Sequence, residues 1–385
     1  MSEEARLAAR AAALAPELAR RADEVEKARR VPADLSASLA AAGFYRMFVP
    51  AKLGGVEAAP ETGSRVFETL AASDASCAWV AFIGATAGAS LAWMPEDGAR
   101  ELFASPDTLL TGVFAPTGRA ARADGGWRVT GRWQWGSGCE NAAWIGGGCV
   151  LTDDGAPLAG PAGAPLARML FFRAADVEIL DTWHVAGLRG TGSTDFAVRD
   201  LLVPERRAVD LIAPPAAERP LQRFPYFAFL ALGVAAVALG IARAAIDDLV
   251  ALAAGKKRAG SRSTLASRAH TQLEVAQAEA RVRSARAFYY ESIGQAWEFA
   301  VRGDAIPLAA RRDLRLATTH AVQASARAVT AMYTLAGGTS VYESSRLQRQ
   351  FRDVHVATQH VMVSPATLET AGRLFLGVEA NTEMF

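Results

Sequence analysis

"WRVTGRWQW", residues 127–135, decides how this chain is built. Trp127, Val129, Gly131, Trp133 and Trp135 alternate with Arg128, Thr130, Arg132 and Gln134. Side chains of an extended strand point to opposite faces in turn, so this period of two predicts a half-buried strand with its tryptophans inward. "ARMLFFRA" and "TDFAVRDLLVP" are further strand candidates, set apart by glycine-rich turns. Together they predict a β-domain over residues 111–208.

On either side the pattern turns helical. "EEARLAARAAALAPELARRADEVEKARR" is rich in helix formers, with an apolar stripe that breaks at Pro16. Pro32 opens a second helix, which stops at Gly43. Residues 62–94 continue the pattern, and 1–110 form an N-terminal helical domain. Beyond the β-domain, long runs over 224–254, 263–302 and 307–336 predict a bundle of antiparallel helices within residues 209–385. The expected fold is mainly α with a central β-domain.

Composition excludes several classes of function. Lys and Arg total 41 and Asp and Glu 40, so the net charge of +1 offers nothing to nucleic acid or an anionic membrane. "FPYFAFLALGVAAVALGIA", residues 224–242, has the length of a membrane span. Its glycines, Pro225 and the charges just beyond it read instead as a helix buried among helices. Cys77, Cys139 and Cys149 form no CxxC pair, which suits free thiols in a reducing cytoplasm. No GxGxxG opens a helix after a strand, so no nicotinamide site is visible, and there is no P-loop.

Two of the five histidines fall in "RDVHVATQH", residues 352–360. On one helix, five residues turn about 500° and leave His355 and His360 about 140° apart. One metal held by both does not suit that geometry, and no acidic or thiol ligand stands beside His360. Arg349, Asp353 and His360 fall within about 40° of one another, which allows an Arg349–Asp353 pair at i,i+4.

The order of helices, β-domain and bundle resembles the acyl-CoA dehydrogenase fold family. So do "WQWGSG", "HVAGLRGTGSTDFAV", "KKRAGSRST" and "LQRQFRDVH". The chain is most similar to the branch that serves as the oxygenase half of two-component flavin monooxygenases, over nearly its whole length. That resemblance implies a three-part fold with a β-barrel-like middle domain. It implies reduced FMN or FAD and O2 as cofactors, reacting through a C4a-hydroperoxyflavin to hydroxylate a small aromatic. It also implies a separate NAD(P)H:flavin reductase that hands over flavin by diffusion, and a homotetramer in the cytoplasm.

The resemblance gives residues roles. His360 faces flavin and substrate as the acid/base group, and His355 is structural. The glutamate that dehydrogenases carry near this point is absent, and "LQRFPYFAFLALG" supplies no carboxylate in its place. An acyl-CoA dehydrogenase or oxidase with a displaced base is the alternative. Ser137 hydrogen-bonds the flavin near N5, and Gly136 and Gly138 let the backbone approach the ring, although "GSG" alone reads as a strand-ending turn. Thr191 and Ser193 in "GLRGTGS" reach the ring edge or ribityl chain; that motif alone is a tight turn. Arg258 and Ser261, beside Lys256, hold the flavin phosphate, where composition alone gives a solvated basic face. Trp133 and Trp135 are flavin walls or plain core. Phe82, Trp93, Phe114 and Trp144 are candidate substrate liners that serve equally well as core.

Overall fold

The computed structural model describes residues 2–160, 163–211, 213, 219–257 and 262–385. Five helices come first: α1 (Glu3–Ala28), α2 (Ala33–Ala41), α3 (Pro60–Ala71), α4 (Ala75–Ala89) and α5 (Glu96–Leu102). Helix α1 runs unbroken through Pro16, against the expected break. Pro16 and Ala12, whose carbonyl loses its partner, both sit on the exposed face, where that carbonyl is free to turn to solvent. Leu7, Ala11, Leu18, Ala22 and Val25 stay on the buried face.

Eight strands come next: β1 (Leu110–Ala123), β2 (Gly126–Gly136), β3 (Trp144–Asp153), β4 (Ala156–Pro157), β5 (Ala167–Arg173), β6 (Glu178–Leu180), β7 (Thr194–Pro204) and β8 (Ala208–Val209). They form one mixed sheet in the order β6-β7-β2-β1-β3-β5-β8, with β4 beside β3. The β1–β3 pair is parallel and the others antiparallel.

Strand β2 keeps the expected alternation until its end. Trp127, Val129 and Trp133 are buried, and Trp133 stacks on Phe196 at 5.1 Å. Trp135 departs from the reading: it is 66% exposed, with a left-handed backbone at φ 68°. The pairing with β7 shifts between Trp133 and Gly136. Such a bulge inverts the alternation and re-aims the next side chains, so Trp135 turns outward while Gly136 and Ser137 turn inward.

Six helices complete the chain: α6 (Pro220–Arg223), α7 (Tyr226–Gly255), α8 (Ala269–Arg302), α9 (Leu308–Ala336), α10 (Arg346–Ala357) and α11 (Pro365–Phe375). Helix α7 and the segment Ala75–Trp93 are apolar enough to cross a membrane, yet 89% and 94% of their apolar windows are covered inside the fold. A helix apolar on every side needs cover on every side. Helices α3, α4, α9 and α10 provide it for α7. Helix α4 meets both β1 and the 3-10 turn Arg189–Thr191, and that junction positions the site.

Candidate active site

The bulge in β2 delivers Ser137 to a row of buried hydroxyls. Ser137 Oγ lies 2.6 Å from Ser193 Oγ, which lies 2.6 Å from Thr191 Oγ1. Thr191 Oγ1 donates to Leu188 O at 2.8 Å, and Gly138 N–H donates to Thr191 O at 2.9 Å. The Gly138 bond ties the end of β2 to the 187–193 turn. That turn is held open by its backbone: Leu188 and Gly192 are left-handed, at φ 50° and 53°. Gly187 is required because a Cβ there would come within 2.4 Å of the Arg352 carbonyl carbon.

Trp79, on α4, joins the hydroxyls to the histidine. Its Nε1–H donates to Ser137 Oγ at 3.1 Å, and its ring meets the His360 ring edge-on at 5.7 Å. No signal in the sequence singled out Trp79 from the apolar run around it.

His360 is not on the α10 helix, which corrects the shared-helix geometry. Helix α10 ends at Ala357, and His360 is extended at φ −69°, ψ 132°, capping a 3-10 turn over Val361–Val363. Its Nδ1 accepts from Met362 N–H at 3.2 Å, which leaves Nε2 as the protonated nitrogen of the neutral ring. Burial first, and the Arg315 guanidinium second, pull its pKa down to about 4. His360 therefore presents an Nε2–H donor at neutral pH. His355 faces the other way, with Nε2 3.0 Å from Thr330 Oγ1 and its ring 4.6 Å from Phe351.

The expected Arg349–Asp353 pair does not form among the described residues. Arg349 donates to Glu26 at 2.9 Å and also pairs with Asp23, both on α1. Asp353 is buried and accepts from Leu188 N–H at 2.6 Å. Burial is the main cause that pushes its carboxyl up to about 7. Arg352 donates to Ala186 O at 2.5 Å, so α10 grips the turn that carries Thr191 and Ser193.

The other sequence candidates scatter. Phe82 lies 4.9 Å from Trp79, inside the core. Trp93 donates to Ala213 O at 2.8 Å and meets Tyr226, while Phe114 pairs with Phe227 at 5.2 Å near the start of α7. Trp144 sits in a second hydrophobic cluster under Arg173 and Arg207, with no contact among the described residues that joins it to His360. Gly136 is explained by packing, because a Cβ there would come within 2.7 Å of Phe196. Gly138 is left-handed at φ 73° and backs onto Val80. Lys256 is committed to Ala336 O and Thr339 Oγ1 at the end of α9. Arg258 and Ser261 lie outside the described residues.

Two family models match the chain. The acyl-CoA dehydrogenase N-terminal domain covers residues 2–97 and the acyl-CoA dehydrogenase C-terminal domain covers 232–365. Indole-3-acetate monooxygenase of Pseudomonas putida is 36% identical over 93% of this chain and 90% of that protein. The chain belongs to the acyl-CoA dehydrogenase family. Within that family it is an oxygenase component of the flavin-dependent monooxygenase kind, and it uses reduced flavin. The oxygenase subunit HsaA of Rhodococcus jostii is 29% identical over 92% of this chain and 93% of that protein. The structure of XiaF from Streptomyces with FADH2 and glycerol superposes with a TM-score of 0.91 at 26% identity, covering 98% of this chain and 97% of that one.

Proposed function

We propose that this family member hydroxylates an aromatic small molecule at the junction of α4, the 187–193 turn and the His360 loop. The observation that carries the reading is Trp79, which donates to Ser137 and packs against His360. One indole thus ties the hydroxyl row to the imidazole.

The residues present fit a flavin ring. Three buried hydroxyls stand at the end of β2, next to a 66% exposed indole on a strained backbone. A large apolar face beside a polar edge suits a flat heteroaromatic system. Ser137, Ser193 and Thr191 would hold the polar edge, and Trp135 would cover a face. The reduced flavin supplies two electrons to O2 and so the activated oxygen atom. His360 offers Nε2–H to a substrate hydroxyl or ring nitrogen and orients the carbon to be oxidised. The displaced-base dehydrogenase reading lacks support, because Asp353, the buried carboxylate of α10, is engaged by Leu188 N–H.

The flavin arrives by diffusion from a separate NAD(P)H:flavin reductase in the cytoplasm. Exposed Tyr342, Val361, Phe375 and Leu376 suit subunit contacts in a homotetramer, which light scattering at micromolar concentration would show. The test of function supplies reduced FAD or FMN to the full chain, then O2 and a panel of phenols and indoles. Hydroxylated product is expected with at least one aromatic, and no NADH oxidation without a reductase. Hydrogen peroxide alone with every aromatic, or flavin bleaching by acyl-CoA, would overturn the reading.

A further inference from the structure

Helix α9 carries a buried polar stripe whose hydrogen-bonding capacity is only partly used, its Arg315 guanidinium lying over the Phe385 ring at 5.6 Å. Arg315 is 3% exposed, and Thr319, one turn on, is 0% exposed. At a spacing of four they share a face. Arg315 Nη2 donates to Met362 O at 2.9 Å and reaches Thr367 Oγ1 at 3.5 Å. Arg315 Nε and Nη1, and the Thr319 hydroxyl, find no hydrogen-bond partner among the described residues. Burial pulls the Arg315 pKa to about 10, with no acidic neighbour among the described residues acting against it.

Buried polar groups in folded proteins are almost always paired, and a buried cation without a counter-charge is strongly unfavourable. The two unpaired Arg315 nitrogens and the Thr319 hydroxyl on one stripe suit a guest bearing a negative charge. The place of the stripe says which guest. Arg315 holds the carbonyl of Met362, whose N–H donates to His360 Nδ1. Its charge also reaches the imidazole. An anion seated on Arg315 is therefore within one loop turn of the donor that orients the substrate.

We propose that Arg315, seconded by Thr319, anchors a carboxylate on the aromatic substrate, so that the enzyme takes arylalkanoic acids. This rests on the monooxygenase site proposed above. The guanidinium supplies charge and N–H donors, and the Thr319 hydroxyl a further donor, to the two carboxylate oxygens.

The test compares indole-3-acetate with its neutral isostere indole-3-acetamide on the full chain supplied with reduced flavin. The wild-type enzyme should favour the acid by about 10²-fold in kcat/KM, with the difference in KM. Arg315→Met should bring the acid-to-amide ratio to about 1, Arg315→Lys should restore part of it, and Thr319→Val should lower it several-fold. Calorimetry should show indole-3-acetate binding lost in Arg315→Met while reduced-flavin binding persists. A wild-type ratio near 1 overturns the proposal. So does an Arg315 variant that weakens flavin binding while the ratio stays high, because the cation then serves the flavin. Should Arg315→Met fail to fold for want of the Met362 bond, the wild-type ratio and Thr319→Val still decide. Turnover of neutral phenols with no preference for acids sinks the carboxylate anchor and leaves the monooxygenase reading standing. Failure to oxygenate any aromatic sinks both.

Discussion

The Trp79 indole donates to Ser137 Oγ at 3.1 Å, at one end of a hydrogen-bond row whose direction is set at the other. At the far end Thr191 spends its hydrogen on Leu188 O. Ser193 must then donate to Thr191, and Ser137 to Ser193. Ser137 is left with one free lone pair and no free hydrogen. A reduced flavin has N–H at N5, and an oxidised flavin has only a lone pair there. With N5 of the proposed flavin at Ser137, the row would favour the reduced form. Ser193→Ala frees the Ser137 hydrogen and should cut the preference for reduced over oxidised flavin by about tenfold, the worth of one hydrogen bond near a charged group. Dissociation constants measured anaerobically and in air decide it; an unchanged ratio contradicts the ordering.

The two histidines should separate in function. His360→Ala removes the Nε2–H donor beside Trp79 and should lower product formation by about 10²–10⁴-fold, with the lost product appearing as hydrogen peroxide. His355→Ala loses one exposed bond to Thr330 and should keep its coupling, at a cost in stability of about 1 kcal/mol or less. Product and peroxide assays on both variants check this. Uncoupling by His355→Ala with a normal His360→Ala enzyme would invert the assignment.

Much of the architecture was legible because periodicity is a direct print of geometry. Residues 194–204 read as a strand and form β7, and the three long helical runs became α7, α8 and α9. Trp135 was misread because a bulge is set by the partner strand, and alternation within one strand carries no trace of it. His360 was placed on a helix because nothing local ends α10: no proline or glycine falls between Arg346 and Ser364. Trp79 and Arg315 were invisible for a different reason. Each is one polar or aromatic residue in a helix, and only the packing of α4 and α9 against distant loops gives it a task.

Acid should act through His360. Folded His360 loses its proton near pH 4, against 6.5 for an unperturbed imidazole. Between those values the unfolded chain binds more protons, so stability falls as pH falls from about 6.5 to about 4. The ring keeps some contact with water, so the loss is about 2 kcal/mol by pH 4. His360→Gln, which cannot titrate, should lose less Tm than the wild type between pH 7 and 4.5. Parallel Tm curves for the two proteins would show that burial does not hold the imidazole neutral.

Asp353 should act in the opposite sense. Its carboxyl titrates near 7 in the fold, against 3.8 when unperturbed. The folded chain therefore holds the extra proton between those values, and stability falls as pH rises from about 3.8 to about 7. Asp353→Asn keeps an oxygen to accept from Leu188 N–H and carries no charge. Its amide N–H also has a candidate acceptor in Gln350 Oε1, which is buried without a partner and lines the same small cavity. The variant should gain at least about 2 °C in Tm at pH 8 and a smaller amount at pH 5, where only part of the loss has accrued. Asp353→Ala removes the acceptor instead. Leu188 then loses the bond that holds its left-handed backbone, and Thr191 loses a fixed carbonyl to donate to. That variant should lose Tm at both pH values and release more peroxide per product. A pH-independent loss of Tm in Asp353→Asn would mean that Arg352 compensates the charge and that the carboxylate is the stable form.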